Sequence, residues 1–112
     1  WFVRLNMSEP RVVFVGKKPS YAYVKAVVMA MDEGHRHIRL QARGSAISRA
    51  VDVAEICRRR HGITASSLPL SITIDSIETS SVELKGDDDR MKTVSSIAID
   101  ILGEGDMVVE EE

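Results

Sequence analysis

Cysteine is nearly absent from this chain: of 112 residues, only Cys57 carries a thiol. That excludes an internal disulfide framework and any multi-cysteine zinc or iron–sulfur site. It fits a reducing, intracellular compartment. No apolar run approaches the roughly 18 residues that a membrane helix needs, and Trp1–Asn6 lacks the apolar stretch of a secretory signal. Internal repeats are missing, as is any nucleophile–base–acid set, so the sequence argues against an enzyme. What is there is one domain's length of chain, 44% apolar and 29% charged, which specifies a globular protein and not a disordered one. Met7-Ser8-Glu9 reads as a natural start, with residues 1–6 as leader or expression-derived sequence. The expected domain is residues 10–103, with flexible termini at 1–9 and 104–112.

The net charge of −2 conceals two opposite halves. Residues 10–61 hold eleven Lys/Arg against four Asp/Glu, whereas residues 62–112 hold three against twelve. Such asymmetry within one domain points to a cationic face for a polyanion, with acidic segments elsewhere.

Along the chain, Arg11–Val15 is a short apolar run ending at Gly16, which reads as a central strand buried on both faces. Pro19 forbids its continuation and suits a helix entry, with Ser20 as the N-cap. Val24, Val27, Val28 and Met31 then recur at helical spacing, and Gly34 closes the helix. His37–Arg43 alternates as a strand, with Ile38, Leu40 and Ala42 on one face. Ser45 or Ser48 caps a second helix lined by Ala46, Ala50, Val53 and Cys57, and Arg58, Arg59, Arg60 and His61 crowd its last turn. Leu70–Leu84 and Met91–Leu102 form a long hairpin, with a slip in pattern at Asp75-Ser76-Ile77 that marks a bulge. Strands of about 12–15 residues reach about 40 Å at 3.3 Å per residue, so the hairpin projects. The order βαβαββ defines an α+β two-layer sandwich with a right-handed crossover.

Two loops carry the chemistry. Gly16-Lys17-Lys18-Pro19 joins a strand end to a helix start, where backbone N–H groups and two ammonium groups suit phosphate. It lacks the upstream glycine and following Ser/Thr of a Walker loop. Arg43-Gly44-Ser45 occupies the corresponding place after the second strand. If those strands are parallel, both loops lie at one edge of the sheet and form a basic ridge suited to a phosphate backbone. Tyr21 is expected to be exposed, while Tyr23 is open to either packing or nucleic-acid contact. Cys57 and His61 share a helix face four residues apart, but no third ligand accompanies them, so they read as a buried thiol and a C-terminal histidine. His35 and His37 flank a turn and are expected in solvent. Asp87–Asp89 reads as a solvated tip and not as a cation site.

Taken together, VVFVGKKPxxxYV, IRLQARGxAISRAVDVAEI and the long hairpin resemble the Alba family of archaeal chromatin proteins over residues 11–102. The resemblance implies a fold like the C-terminal domain of translation initiation factor three, and a cytoplasmic, chromosome-associated homodimer. It implies binding to double-stranded DNA, and often RNA, with little sequence preference, and no cofactor, metal or membrane. Carried over residue by residue, Lys17 and Lys18 face the nucleic acid, Lys17 is the acetylation position, Arg43 is the loop arginine and Tyr23 the helix tyrosine. Ser45 and Arg49 join them, and Lys85, Arg90 and Lys92 flank the hairpin tip that would reach along the minor groove. Two departures stand out. The tip is acidic, which argues against deep insertion, and His61 replaces a large apolar residue used for dimer–dimer contact, which implies weaker or pH-sensitive stacking of dimers. The rival readings are a dedicated RNA-binding protein, a protein-interaction module whose acidic tip and tail bind a basic partner, and a small sheet-and-helix enzyme, for which the sequence shows no perturbed acid.

Overall fold

The structure, a computed structural model, describes residues 9–109. Strand β1 spans Arg11–Phe14, helix α1 Ser20–Asp32 and strand β2 His37–Arg43. A 3-10 turn at Gly44–Ala46 leads into helix α2, Ile47–Arg59, and a single helical turn, α3, follows at Gly62–Ala65. Strands β3, Ser71–Lys85, and β4, Met91–Glu104, complete the chain. The sheet order is β1-β2-β4-β3, with β1 and β2 parallel and the other neighbours antiparallel. This is the expected α+β sandwich: helices cover one face of the sheet and the other face is open.

Side-chain alternation fixes which face is which. Ile38, Leu40 and Ala42 of β2 and Ile97, Ile99 and Ile101 of β4 are buried, together with Val24, Val27 and Met31 of α1 and Ala50, Val53 and Cys57 of α2. The residues between them, including Arg39, Gln41 and Ala98, pair across the ladder on the open face. Helix α1 approaches the sheet closely at Gly103. A Cβ on Gly103 of β4 would lie 2.8 Å from Met31 Sδ and 3.2 Å from Ile72 Cδ1, so a larger residue there requires the ends of those side chains to shift.

The hairpin behaves as its length demands. The register shift between Ile74 and Ser76 marks the bulge where the sequence pattern slips. Between Glu78 and Ser96 no residue is buried, so the distal part of the hairpin projects beyond the core. It gives the molecule a long axis of 55 Å against a thickness of 21 Å.

Several local expectations are corrected. β1 is an edge strand, not a central one: its outer face carries Val12 and Phe14, both exposed. A uniformly apolar run has no alternation from which an open face can be read. Neither Ser20 nor Ser45 nor Ser48 caps a helix. Pro19 occupies the N-cap of α1 and Ala46 that of α2, and neither helix start has a side-chain cap. Gly34 does close α1 at φ 108°, as expected, but α2 ends on Arg60 in the left-handed conformation, φ 51°. Its guanidinium compensates by donating to the carbonyls of Leu68 and Ser66, tying the helix end to the α3 turn. The C-terminal segment is docked as far as Val108, and Val109 is exposed. Glu104 belongs to β4, Met107 packs on the core and the Val108 amide donates to the Ser67 carbonyl at 2.9 Å. Residues 1–8 and 110–112 lie outside the described residues, and with them most of the expected leader and flexible tails.

Candidate nucleic-acid interface

Because β1 and β2 run parallel and side by side, both strand-to-helix loops emerge at one end of the sheet. They enclose a cleft of about 710 Å³, whose walls include Lys17, Lys18, Tyr23, Arg43, Ser45 and Arg49. Six of the residues expected from sequence are thus brought together. Lys17, Lys18, Arg43 and Ser45 are exposed.

Tyr23 and Arg49 have a different part. The Tyr23 ring is buried and its hydroxyl accepts the Gly16 amide at 2.9 Å and the Lys18 amide at 3.0 Å. Arg49 Nη1 donates to the Gly16 carbonyl at 2.7 Å. One side chain from each helix therefore holds the backbone of the loop that carries the two lysines. Tyr23→Phe removes the only acceptor shown for two loop amides. It is expected to weaken binding to any polyanion by about three- to tenfold, the effect of about one lost hydrogen bond, while leaving the salt dependence unchanged. Titrations of the wild type and variant at two salt concentrations check this.

The Arg43 loop is set by Gly44, at φ 60°, where an added Cβ would lie 3.3 Å from Val94 Cγ1 of β4. Lys85, Arg90 and Lys92 do not join the cleft; they sit at the distal end of the hairpin. There Lys85 faces Asp89 at 3.5 Å and Arg90 faces Asp88 at 3.9 Å. Both pairs are exposed, so they contribute little stability and the cations stay accessible.

Other singled-out residues fall into place. Cys57 is fully buried, and desolvation pushes its thiol up to about 12; the thiolate needed for reactivity or metal binding is therefore suppressed. His61 is exposed at the end of α2. Among the described residues no group of three His, Cys, Asp or Glu is placed to hold a metal, and no helix is long and apolar enough to cross a membrane. The expectation of a solvent-facing His37 is corrected: its Nε2 lies 2.8 Å from Asp100 Oδ2, in a cluster on the open face of the sheet. Arg39 completes the cluster by donating through Nε at 2.8 Å and Nη2 at 3.0 Å to the two carboxylate oxygens. Asp100 is only 5% exposed. The hydrogen bond from Arg39 holds its carboxyl below the usual 3.8, against the opposing effect of burial, and the His37 contact adds to the lowering. No sequence signal identified this cluster beyond the presence of an acid within an apolar strand.

Fold and cleft together define a small α+β domain with a paired-loop cationic edge. A family model described as Alba matches residues 11–67. The chain is 42% identical over 93 residues to the DNA/RNA-binding protein Alba of Methanocella arvoryzae, covering 83% of this chain and 90% of that one. It is 38% identical over 93 residues to its counterpart in Pyrobaculum neutrophilum, covering 83% and 95%. Among solved structures, Alba from Thermoplasma volcanium superposes with a TM-score of 0.70 at 37% identity, over 82% of this chain and 99% of that one. A Trypanosoma brucei Alba protein shares the fold at a TM-score of 0.63 and 22% identity, over 85% and 71%. The chain belongs to the Alba family.

Proposed function

We propose that this protein is an architectural nucleic-acid-binding protein that coats and compacts double-stranded DNA as a homodimer with little sequence preference, and also binds RNA. The observation that supports this reading above the others is the convergence of Lys17, Lys18 and Arg43 on one cleft at the ends of two parallel strands. These are flexible or forked cations on a rigid frame, suited to phosphate oxygens and not to base edges. The relatives' names, which specify both DNA and RNA, agree with it. A two-fold dimer doubles the cationic edge and sets two hairpins to reach along the duplex. Acetylation of Lys17 removes one of the rim charges and so tunes the grip. Such a protein works in the cytoplasm on the chromosome.

A salt-series titration with duplex DNA and duplex RNA, together with a mass measurement of the free protein, tests the proposal. Each phosphate contact contributes about −0.9 to the log–log salt slope on duplex DNA. Three cleft cations on each of two protomers give an expected slope of about −5. A monomeric mass, or affinity indifferent to salt, overturns the reading. Affinity confined to RNA favours the dedicated RNA-binding alternative.

A further inference from the structure

The cleft has a wall that phosphate binding does not use. Phe14, the last residue of β1, is 74% exposed. It stands on the open face of the sheet, in register with Gln41 of β2, and lines the same cleft as Lys17, Lys18 and Arg43. An isolated surface phenylalanine is unremarkable, but this one is not isolated. Phe14, Tyr21 and Tyr23 are the three aromatic residues among those described, and they bracket the Gly16–Pro19 loop. Tyr23 is consumed in holding that loop. Phe14 has no comparable structural duty. Its ring leaves most of its surface in water, at an edge strand, where burial elsewhere would have been the favourable outcome.

We propose that Phe14 is a stacking platform for an unpaired base, so that the cleft takes single-stranded nucleic acid as well as the duplex backbone. The inference rests on the nucleic-acid reading above and deepens it by naming the residue that would meet an unpaired base. Every base has a π-face, so a ring beside cations binds single strands without demanding a sequence. The cleft volume of about 710 Å³ lies within the range of sites that enclose a small ligand, enough for a base with its sugar. Gln41, which also lines the cleft, offers an amide donor and an acceptor to a base edge. Lys17, Lys18 and Arg43 then hold the flanking phosphates. A base in a duplex is already stacked on its neighbours, so Phe14 has no part in duplex binding.

The test compares a twelve-nucleotide oligouridine RNA with a twelve-base-pair DNA duplex at one salt concentration. Phe14→Leu keeps the apolar bulk and removes the ring. It should weaken binding of the single strand about tenfold, as loss of one stacked base does, and change duplex binding by less than twofold. Phe14→Trp should restore single-strand affinity, with indole fluorescence quenched on binding beyond any change in the wild type. Equal single-strand affinity of the wild type and Phe14→Leu overturns the proposal, as does an equal loss on the duplex. A Phe14→Leu protein that is monomeric where the wild type is dimeric also overturns it, because the ring then belongs to the subunit contact. Failure of the wild type to hold either probe overturns the nucleic-acid reading itself, and so is distinguishable from failure of the Phe14 assignment alone.

Discussion

Replacing both Lys17 and Lys18 by alanine is expected to lower affinity for duplex DNA by about thirtyfold at 0.1 M salt for each protomer engaged, and to do so equally for unrelated sequences. The magnitude follows from counterion release: each phosphate contact scales affinity with about the −0.9 power of salt, so each contact is worth close to tenfold at 0.1 M. Two exposed ammonium groups that are only partly engaged fall somewhat short of the full product. The log–log slope should flatten by up to about 1.8 for each protomer, since contacts and slope are lost together. The fold itself should be untouched. Both side chains are exposed, and the loop backbone is held by Tyr23 and Arg49. Surface substitutions of this kind change stability by about 0.5 kcal/mol at most. Gel-shift or anisotropy titrations on two unrelated duplexes, with a thermal melt as control, give the answer. A double variant with wild-type affinity removes this loop from the interface. Sequence-dependent losses would show that the lysines read bases, contrary to the assignment.

The second large effect concerns stability. Asp100→Ala is expected to destabilise the protein by about 2–3 kcal/mol, the cost of leaving partners of a nearly buried charge-assisted cluster unpaired. The figure stays below that of a fully buried ion pair because the Arg39 side chain is 37% exposed and can be resolvated. For a domain of this size such a change lowers Tm by on the order of 10 °C or more. Asp100→Asn keeps the shape and isolates the charge. The folded state lowers the carboxyl's affinity for protons, so at acid pH the unfolded chain binds more of them, and stability rises with pH through that window. The contribution is therefore full above the ordinary value of 3.8 and is lost as pH falls through the lowered value. Chemical denaturation of the wild type and Asp100→Asn at pH 6 and pH 3 should show the gap between them narrowing at the lower pH. A gap independent of pH would remove the charge of Asp100 from the account.

The two predictions draw on different kinds of information. Lys17, Lys18 and Arg43 could be found from the chain alone, because a glycine-containing cationic loop between a strand and a helix has a local signature. The cluster of Asp100, Arg39 and His37 could not. Arg39 and Asp100 are 61 residues apart, and only the antiparallel register of β2 on β4 sets them opposite one another. Tyr23 lies between these cases. Its position one turn before Val27 marks it as a packing residue or a contact residue, and the choice depends on where the loop amides fall in space.

Amphipathic periodicity by itself determined helices α1 and α2, the β2 and hairpin strands, the bulge near Ser76 and the projecting arm, but not the single turn α3. These features follow from side-chain alternation and turn chemistry, which act over a few residues. The tertiary structure alone decided that β1 lies at the sheet edge and not at its centre, since an evenly apolar run carries no alternation to show which side faces water. That placement leaves Phe14 in solvent beside the lysines. It also set Arg49 and Arg60 to holding backbone carbonyls, although in sequence they are indistinguishable from the cations left at the rim. Charge is written in the chain, but its availability depends on which acceptors the fold brings within reach.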